Sequence, residues 1–280
     1  MTKINEVLNS ARQQIPVAEA RLFLAQASEQ SPAWLVAHDQ DELPDNVEAR
    51  FSEWVRRRAA GEPVAYILGW REFYGRRFKV GPGVLIPRPE TELLVEQGLA
   101  AIAGIQRPRI LDMGTGSGCI AISLALECPG AEVWALDFSV DALSIARENG
   151  RDLGAEVRFM QSDWATSLSA DEFSGFFDLI VSNPPYIAPD DAHLSQGDLR
   201  FEPRSALAAT ESGLADLQII VSAAPNLLKP GGVLLCEHGY DQAAKMREIL
   251  AAEGVEPKQY EDLAGILRVS GGRFGITLNT

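Results

Sequence analysis

The sequence predicts an α/β protein, in which a mostly parallel, open β-sheet is preceded by a small all-helical unit and a β-hairpin. Two observations lead to this prediction. Strands alternate with helices from Arg109 almost to the C-terminus, and apolar residues recur at helical spacing over residues 3–60. Regular alternation of strands and helices is typical of a parallel sheet with helices on its faces. With 280 residues, 46% of them hydrophobic, the chain can fill one large or two ordinary domains.

Residues 1–61 are predicted to form the helical unit. Their apolar residues follow helix spacing, and Pro16, Pro32 and Pro44 mark the points at which helices would stop or start. A unit of this size has a limited core, and it contains no residues with evident chemistry. We therefore expect it to recognise a partner or to support the larger domain.

Residues 62–88 are predicted to form a β-hairpin connector, with a first strand at 66–70 and a turn near Tyr74-Gly75. A helix then begins at Pro89, a residue suited to the first turn, and glutamates follow at the positive end of its dipole. The larger domain is predicted to cover residues 89–280.

The order of strands in this domain decides where its functional residues meet. Predicted strands cover residues 110–113, 132–137, 156–160, 177–182, 233–237, 256–260 and 268–277. Predicted helices cover residues 119–127, 140–152, 214–228 and 242–253. Ligands of parallel sheets bind at the carboxyl ends of the strands, so the residues that follow each strand are the candidates for a site.

Composition excludes several classes of protein. No apolar run approaches the roughly 18 residues of a membrane span, and the first residues are not followed by the apolar h-region of a secretory signal, so we expect a cytoplasmic protein without membrane contact. The three cysteines form no Cys-x-x-Cys pair and the three histidines are scattered, so neither a disulfide framework nor a metal site is predicted.

The distribution of charge bears on nucleic-acid binding. A net charge of −14 argues against a general nucleic-acid binder, and nucleic acid is not expected as a substrate. Residues 50–80 nevertheless carry eight basic and three acidic side chains, a local balance of +5. Such a stretch is most often a solvated face, and contact with a partner or with RNA is the alternative.

The first two strands of the sheet end in residues suited to a nucleoside ligand. The first runs into a glycine-rich turn of the form Gly-x-Gly-x-Gly at residues 114–118, which lets a ligand approach the backbone closely. The turn departs from the dinucleotide fingerprint because Cys119 occupies the position of the third glycine. The second strand ends at Asp137, whose carboxylate can accept both hydroxyl hydrogens of a ribose. Capping of the following helix is the alternative role of Asp137.

The next two strands end in an aromatic and an amide. Asp163 and Trp164 follow the third strand and can border an adenine, although Trp164 can equally be part of the core. The fourth strand stops at Asn183-Pro184-Pro185-Tyr186, because two prolines remove backbone donors and leave the last carbonyls without partners. These acceptors suit an NH₂ group on a planar carbon, with Tyr186 as a flat face. A turn without function is the ordinary alternative for Asn-Pro-Pro.

Together these motifs resemble the class I S-adenosylmethionine-dependent methyltransferases, and among them the branch that methylates nitrogen through Asn-Pro-Pro-Tyr. Further segments are similar to the peptide chain release factor glutamine methyltransferase family: Tyr66-Ile67-Leu68-Gly69, Glu72-Phe73-Tyr74-Gly75, Leu85-Ile86-Pro87-Arg88-Pro89-Glu90-Thr91-Glu92 and Arg200-Phe201-Glu202-Pro203. The resemblance implies a Rossmann-like domain with a mostly parallel seven-stranded sheet. It also implies methyl transfer from S-adenosylmethionine to the glutamine of the Gly-Gly-Gln motif in bacterial release factors.

The resemblance assigns roles to individual residues. The cofactor would bind to Gly114, Thr115, Gly116, Ser117, Gly118, Asp137, Trp164 and Asn183, and the substrate to Asn183, Pro184, Pro185 and Tyr186. Asn183, Pro184 and Tyr186 are the expected catalytic residues. Met113 departs from the leucine that is common in the family, and residues 208–212 depart from its glycine-containing stretch.

An amide nitrogen is a poor nucleophile, and the sequence shows no evident base near the motif. We therefore expect positioning and electrostatics to supply the rate, with proton loss after transfer. Residues 187–213 are predicted to cover the substrate, and a disordered insertion is the alternative. An adenine-N6 methyltransferase acting on DNA or RNA is the main rival function, which would need a flipped base and a basic channel. A cofactor-binding protein without catalytic activity is a further alternative.

Overall fold

The computed structural model of the protein describes residues 2–195, 197–208 and 213–275. The chain divides into two compact units, Met1–Gly69 and Trp70–Thr280. No helix within the described ranges is long and apolar enough to cross a membrane.

The first unit is helical, as predicted. Its helices are α1 (Ile4–Ala11), α2 (Val17–Ser28), α3 (Pro32–Ala37), α4 (Asp45–Ala59) and α5 (Val64–Leu68). Phe23, Leu24 and Phe51 are buried at the centre of its core. The predicted breaks are confirmed, because α2 and α4 each follow a proline and the Ser31 hydroxyl caps α3 by accepting the Trp34 N–H at 3.1 Å.

The predicted strand at residues 66–70 is wrong over most of its length. Residues 64–68 form α5 instead, because Pro63 precedes a short apolar segment and Gly69, with φ +79°, ends it in the left-handed conformation. The hairpin is therefore shorter, with β1 (Trp70–Phe73) antiparallel to β2 (Arg76–Lys79). Tyr74 and Gly75 between them both have positive φ, as a tight turn between twisted strands requires.

The second unit continues with a 3₁₀ turn at Pro89–Thr91 and then alternates helices and strands. Its helices are α6 (Glu92–Ala101), α7 (Cys119–Glu127), α8 (Val140–Leu153), α9 (Ala170–Phe173), α10 (Arg204–Leu207), α11 (Ala215–Leu227) and α12 (Ala243–Ala252). Its further strands are β3 (Arg109–Met113), β4 (Glu132–Asp137), β5 (Val157–Gln161), β6 (Phe177–Ser182), β7 (Leu228–Glu237), β8 (Lys258–Glu261) and β9 (Leu267–Arg273).

Seven of the described strands form one sheet in the order β5-β4-β3-β6-β7-β9-β8. Strand β9 runs antiparallel to both of its neighbours, β7 and β8, and the other described pairs in this sheet are parallel. The prediction of a mostly parallel sheet is therefore confirmed. The last strand was predicted to reach residue 277, but β9 ends at residue 273. Residues 276–277 lie outside the described ranges.

The central strands of the sheet are buried on both faces, which explains why β3, β4 and β6 are largely apolar. Every residue of β6 is buried; Ile180 faces the core beside α11, while Leu179 and Val181 face the core beside α6 and α7. Strand β3 pairs with β4 on one side and with β6 on the other. The chain order reverses there, which leaves a crevice at the carboxyl ends of these strands.

The long connection after β6 is partly folded. It contains 3₁₀ turns at Ala192–Ser195 and Gly197–Phe201 before α10, and Ile187 forms a parallel bridge with Ala208. Leu194 and Leu207 are buried, as their apolar character predicts. Residues 209–212, which include part of the stretch that departs from the family pattern, lie outside the described ranges.

Candidate active site

The glycine-rich turn after β3 is held against the end of the neighbouring strand β4. The N–H groups of Gly114 and Thr115 both donate to the Leu136 carbonyl of the neighbouring strand, at 2.9 and 2.8 Å. Gly118 has φ +81°, and a Cβ there would lie 2.9 Å from the Ile122 side chain. The turn therefore needs glycine at residue 118 to pass directly into α7.

Asp112 stabilises the base of this turn. It is fully buried at the end of β3, and its Oδ2 accepts the Thr115 hydroxyl at 2.7 Å. Burial raises the pKa of Asp112 to about 7, against the lowering effect of the hydrogen bond from Thr115.

Asp137 connects the turn to the end of β4. Its Oδ2 accepts the Gly116 N–H at 2.8 Å, and its Oδ1 accepts the Ser139 N–H at 2.8 Å. Burial raises the pKa of the carboxyl group, while the backbone hydrogen bonds from Ser139 and Gly116 oppose that rise. Helix α8 is capped by the Ser139 hydroxyl, which accepts the Ala142 N–H at 3.2 Å, so the alternative that Asp137 is the cap is wrong.

A cavity of about 360 Å³ lies at the carboxyl ends of β3, β4, β5 and β6. Of the predicted site residues, it brings together Gly114, Thr115, Gly116, Ser117, Asp137, Trp164, Asn183 and Pro185. Gly118, Pro184 and Tyr186 are described but do not line it. The four strand ends therefore meet at one site, and the proline and tyrosine of the motif lie beside it.

Trp164 belongs both to the cavity wall and to the edge of the core. It has φ +47°, packs against the apolar cluster below the sheet, and its ring would be 3.4 Å from a Cβ at Gly114. Burial raises the pKa of the nearby Asp216 carboxyl group, and the Trp164 indole opposes that rise. The indole is thereby fixed as a wall of the cavity.

The side-chain amide of Asn183 has one paired end and one unpaired end. Its Nδ2 donates to the Thr91 hydroxyl oxygen at 3.2 Å, whereas its Oδ1 is buried and has no hydrogen-bond partner among the described residues. An unpaired buried acceptor costs about 1–3 kcal/mol, so a ligand that brings a donor would be favoured there.

The segment after Asn183 is held by Gln242, the residue that precedes α12. The Tyr186 carbonyl accepts the Gln242 Nε2 at 3.0 Å, and the same nitrogen donates to the Gly213 carbonyl at 3.2 Å. Tyr186 is half-buried, and burial raises the pKa of its hydroxyl group. Its phenol is therefore neutral at physiological pH.

Several residues of the site had no assigned role in the sequence. Phe138 lines the cavity although its side chain is 71% exposed, and a large aromatic directly after a strand-end carboxylate was the available signal. Glu202 is buried and accepts the Ile86 N–H at 2.9 Å while it pairs with Arg88. Thr91 and Glu202 both lie in segments that carry the family resemblance, but only the structure gives them partners.

The sheet order, with a cavity at the carboxyl ends of its parallel strands, defines a class I methyltransferase. The methyltransferase domain family model matches residues 106–264, and the PrmC N-terminal domain model matches residues 1–69.

Solved structures support the fold. The catalytic domain of hMettl16 in complex with an RNA hairpin has a TM-score of 0.58 at 16% identity, over 90% of this chain and 91% of that one. A 16S rRNA methyltransferase of T. thermophilus, in complex with AdoMet and guanosine, has a TM-score of 0.52 at 20% identity, over 73% of this chain and 49% of that one.

Curated relatives define the family more narrowly. The release factor glutamine methyltransferase of Bordetella pertussis is 50% identical, over 97% of this chain and 99% of its own length. Those of Neisseria gonorrhoeae and Escherichia coli are 48% and 40% identical, over 93% and 92% of this chain and 94% and 92% of their own lengths. The chain belongs to the release factor glutamine methyltransferase family, which confirms the resemblance that the motifs indicate.

Proposed function

We propose that the protein transfers a methyl group from S-adenosylmethionine to the side-chain amide nitrogen of the glutamine in the Gly-Gly-Gln motif of peptide chain release factors. The observation that carries this proposal is the unpaired, buried Oδ1 of Asn183 at a cavity whose other walls suit an adenosine. The names of the curated relatives support a glutamine of a release factor as the substrate.

The residues of the cavity fit S-adenosylmethionine. Ribose hydroxyls would donate to the Asp137 carboxylate, and the adenine would lie between the exposed Phe138 ring and the wall formed by Trp164. The open backbone of the glycine-rich turn would face the methionine portion. The bound cofactor supplies an electrophilic methyl group on a sulfonium.

Asn183 and the Pro184 carbonyl would hold the glutamine amide by accepting its two N–H groups. This orientation aims the nitrogen lone pair at the methyl group and favours the positive charge that develops on nitrogen. The new C–N bond forms as the S–C bond breaks, and the surplus proton on nitrogen then leaves to water. Tyr186 would cover the amide and exclude water from it.

We further propose that the helical unit contributes to recognition of the release factor. The PrmC N-terminal domain model matches residues 1–69, so the unit is a feature of this family. This match supports a role of the unit in the function of the family.

A methyl-transfer assay with radiolabelled S-adenosylmethionine tests the proposal. Three acceptors are offered separately: release factor, its Gly-Gly-Gln to Gly-Gly-Ala variant, and bulk DNA and RNA. We expect label on the unmodified release factor alone. Label on nucleic acid with none on release factor would refute the proposal in favour of an adenine methyltransferase.

A further inference from the structure

Two polar side chains lie level with each other at the ends of β6 and β7. Ser182 pairs with Cys236 in the parallel register of these strands, so Asn183 and Glu237 each follow at the next position. Side chains alternate between the faces of a strand. Asn183 and Glu237 therefore share the face of the sheet on which α6 packs.

Thr91 occupies the space between these two side chains. It is the last residue of the 3₁₀ turn that precedes α6, and it is only 2% exposed. Its hydroxyl oxygen accepts the Asn183 Nδ2 at 3.2 Å, and its side chain lies close enough to the Glu237 carboxyl group to favour the ionised form of that group. Glu237 is equally buried, and its Oε2 has no partner among the described residues. The three side chains thus form a row from the site into the interior, with Thr91 between the Asn183 amide and the Glu237 carboxyl group.

The chemistry of the three groups fixes which of them donates and which accepts. An ionised carboxylate only accepts hydrogen bonds, and a threonine hydroxyl has one hydrogen to donate. The Thr91 hydrogen must therefore point to an ionised Glu237, which leaves the Thr91 oxygen as an acceptor. Only the NH₂ end of the Asn183 amide can satisfy that oxygen, so the Oδ1 end must face the substrate.

We infer that Thr91 and Glu237 are positioning residues, which hold the Asn183 amide with its oxygen toward the substrate amide. The inference rests on the proposed function, because only a substrate that donates N–H groups requires this orientation. The opposite orientation would present the Asn183 NH₂ group to the NH₂ group of glutamine, and the two donors would repel.

The protonation state of Glu237 controls which of these three side chains can donate a hydrogen bond. Burial raises its pKa to about 7; the Thr91 side chain and the charges of Arg268 and Arg88 act to lower it, and Glu90 acts to raise it. Tyr186 and Cys119, from two other segments, are also within the electrostatic reach of this carboxylate. A protonated Glu237 can donate to Thr91, which then can donate to the Asn183 oxygen and release the amide to turn. Transfer should therefore approach its full rate at least one pH unit above 7 and should be lost as the pH falls through about 7.

The test measures single-turnover methyl transfer to release factor between pH 6 and pH 9. For the wild-type protein we expect a rate that falls about tenfold per pH unit below the pKa of Glu237, as a single ionisation requires. The Glu237→Gln variant offers Thr91 either end of an amide and so no longer fixes which way the Thr91 hydroxyl points. Its transfer rate at pH 8 should be lower than that of the wild type. The rate of this variant should not decline as the pH falls below 7. Equal rates and equal pH profiles for wild type and Glu237→Gln would overturn the inference.

Threonine variants provide a second arm in case Glu237→Gln does not fold. Thr91→Val should reduce the rate at pH 8 by about tenfold or more, since it removes support from an oriented acceptor. Thr91→Ser keeps the hydroxyl and should recover most of the rate. Affinity for S-adenosylhomocysteine should change less than twofold in both variants. If Thr91→Val kept the wild-type rate, or Thr91→Ser failed to recover it, the inference would be wrong. Absence of transfer by the wild type would instead refute the proposed function, and the inference with it.

Discussion

Replacement of Asp137 by alanine tests how the cavity holds its cofactor. The carboxylate accepts two backbone N–H groups at 2.8 Å, from Gly116 and Ser139, and it keeps lone pairs that face the cavity. A hydrogen bond to a charged group contributes about 1.5–3 kcal/mol. Loss of two bonds from ribose hydroxyls should then cost at least about 3 kcal/mol, which corresponds to roughly a hundredfold weaker binding.

Calorimetric titration with S-adenosylhomocysteine measures this loss directly. The matched control is Asp141→Ala, which removes the same charge from an exposed residue in the first turn of α8 that does not line the cavity. The control should bind within twofold of wild type, because an exposed charge is screened by solvent.

An analogue that lacks one ribose hydroxyl separates the proposed contact from general damage to the turn. Wild type should bind the 2′-deoxy analogue of S-adenosylhomocysteine at least about tenfold more weakly than the parent, whereas Asp137→Ala should bind both equally. If Asp137→Ala retained affinity within threefold of wild type, the assignment of Asp137 to the ribose would fail.

Three further substitutions test other parts of the site. Asn183→Ala should lower the rate of methyl transfer by about a hundredfold and leave affinity for S-adenosylhomocysteine within twofold; a similar loss of affinity would show that Asn183 serves only binding. Glu202→Ala should lower the free energy of unfolding in urea by about 2–4 kcal/mol, since it leaves the buried Ile86 N–H and the partly buried Arg88 unpaired. Glu202→Gln keeps an acceptor for the Ile86 N–H and should cost less; equal costs would exclude that role. Gly118→Ala should destabilise more than Gly130→Ala, because both residues have positive φ but only the first would place a Cβ against neighbouring side chains; thermal unfolding compares them, and equal losses would refute the close packing.

The sequence was sufficient for the mostly parallel character of the sheet and for most of its elements, whereas the order of the strands came from the structure. Strands β4 and β6 and helix α7 have the predicted bounds, because long apolar runs that end in glycine, proline or a carboxylate leave little freedom in where an element stops. It was not sufficient at residues 64–68, where five mostly apolar residues fit a strand as well as a helix. There a local effect, the proline before and the glycine after, decided in favour of the helix.

Residue types at strand ends also predicted which side chains meet. Glycines, Asp137, Trp164 and Asn183 follow separate strands, and the parallel sheet brings them to one cavity of about 360 Å³. The sequence could not show that Asp137 also closes the glycine-rich turn, because that hydrogen bond depends on the distance between two neighbouring strands.

What only the tertiary structure decided is the orientation of the amide at the centre of the site. Asn183, Thr91 and Glu237 are far apart in the chain, and no periodicity links them. Their alignment follows from the register of β6 with β7 and from the packing of the turn before α6 on those strands. The sequence by itself determined that an acceptor stands at the end of the fourth strand, while long-range packing determined which end of that amide is free to accept.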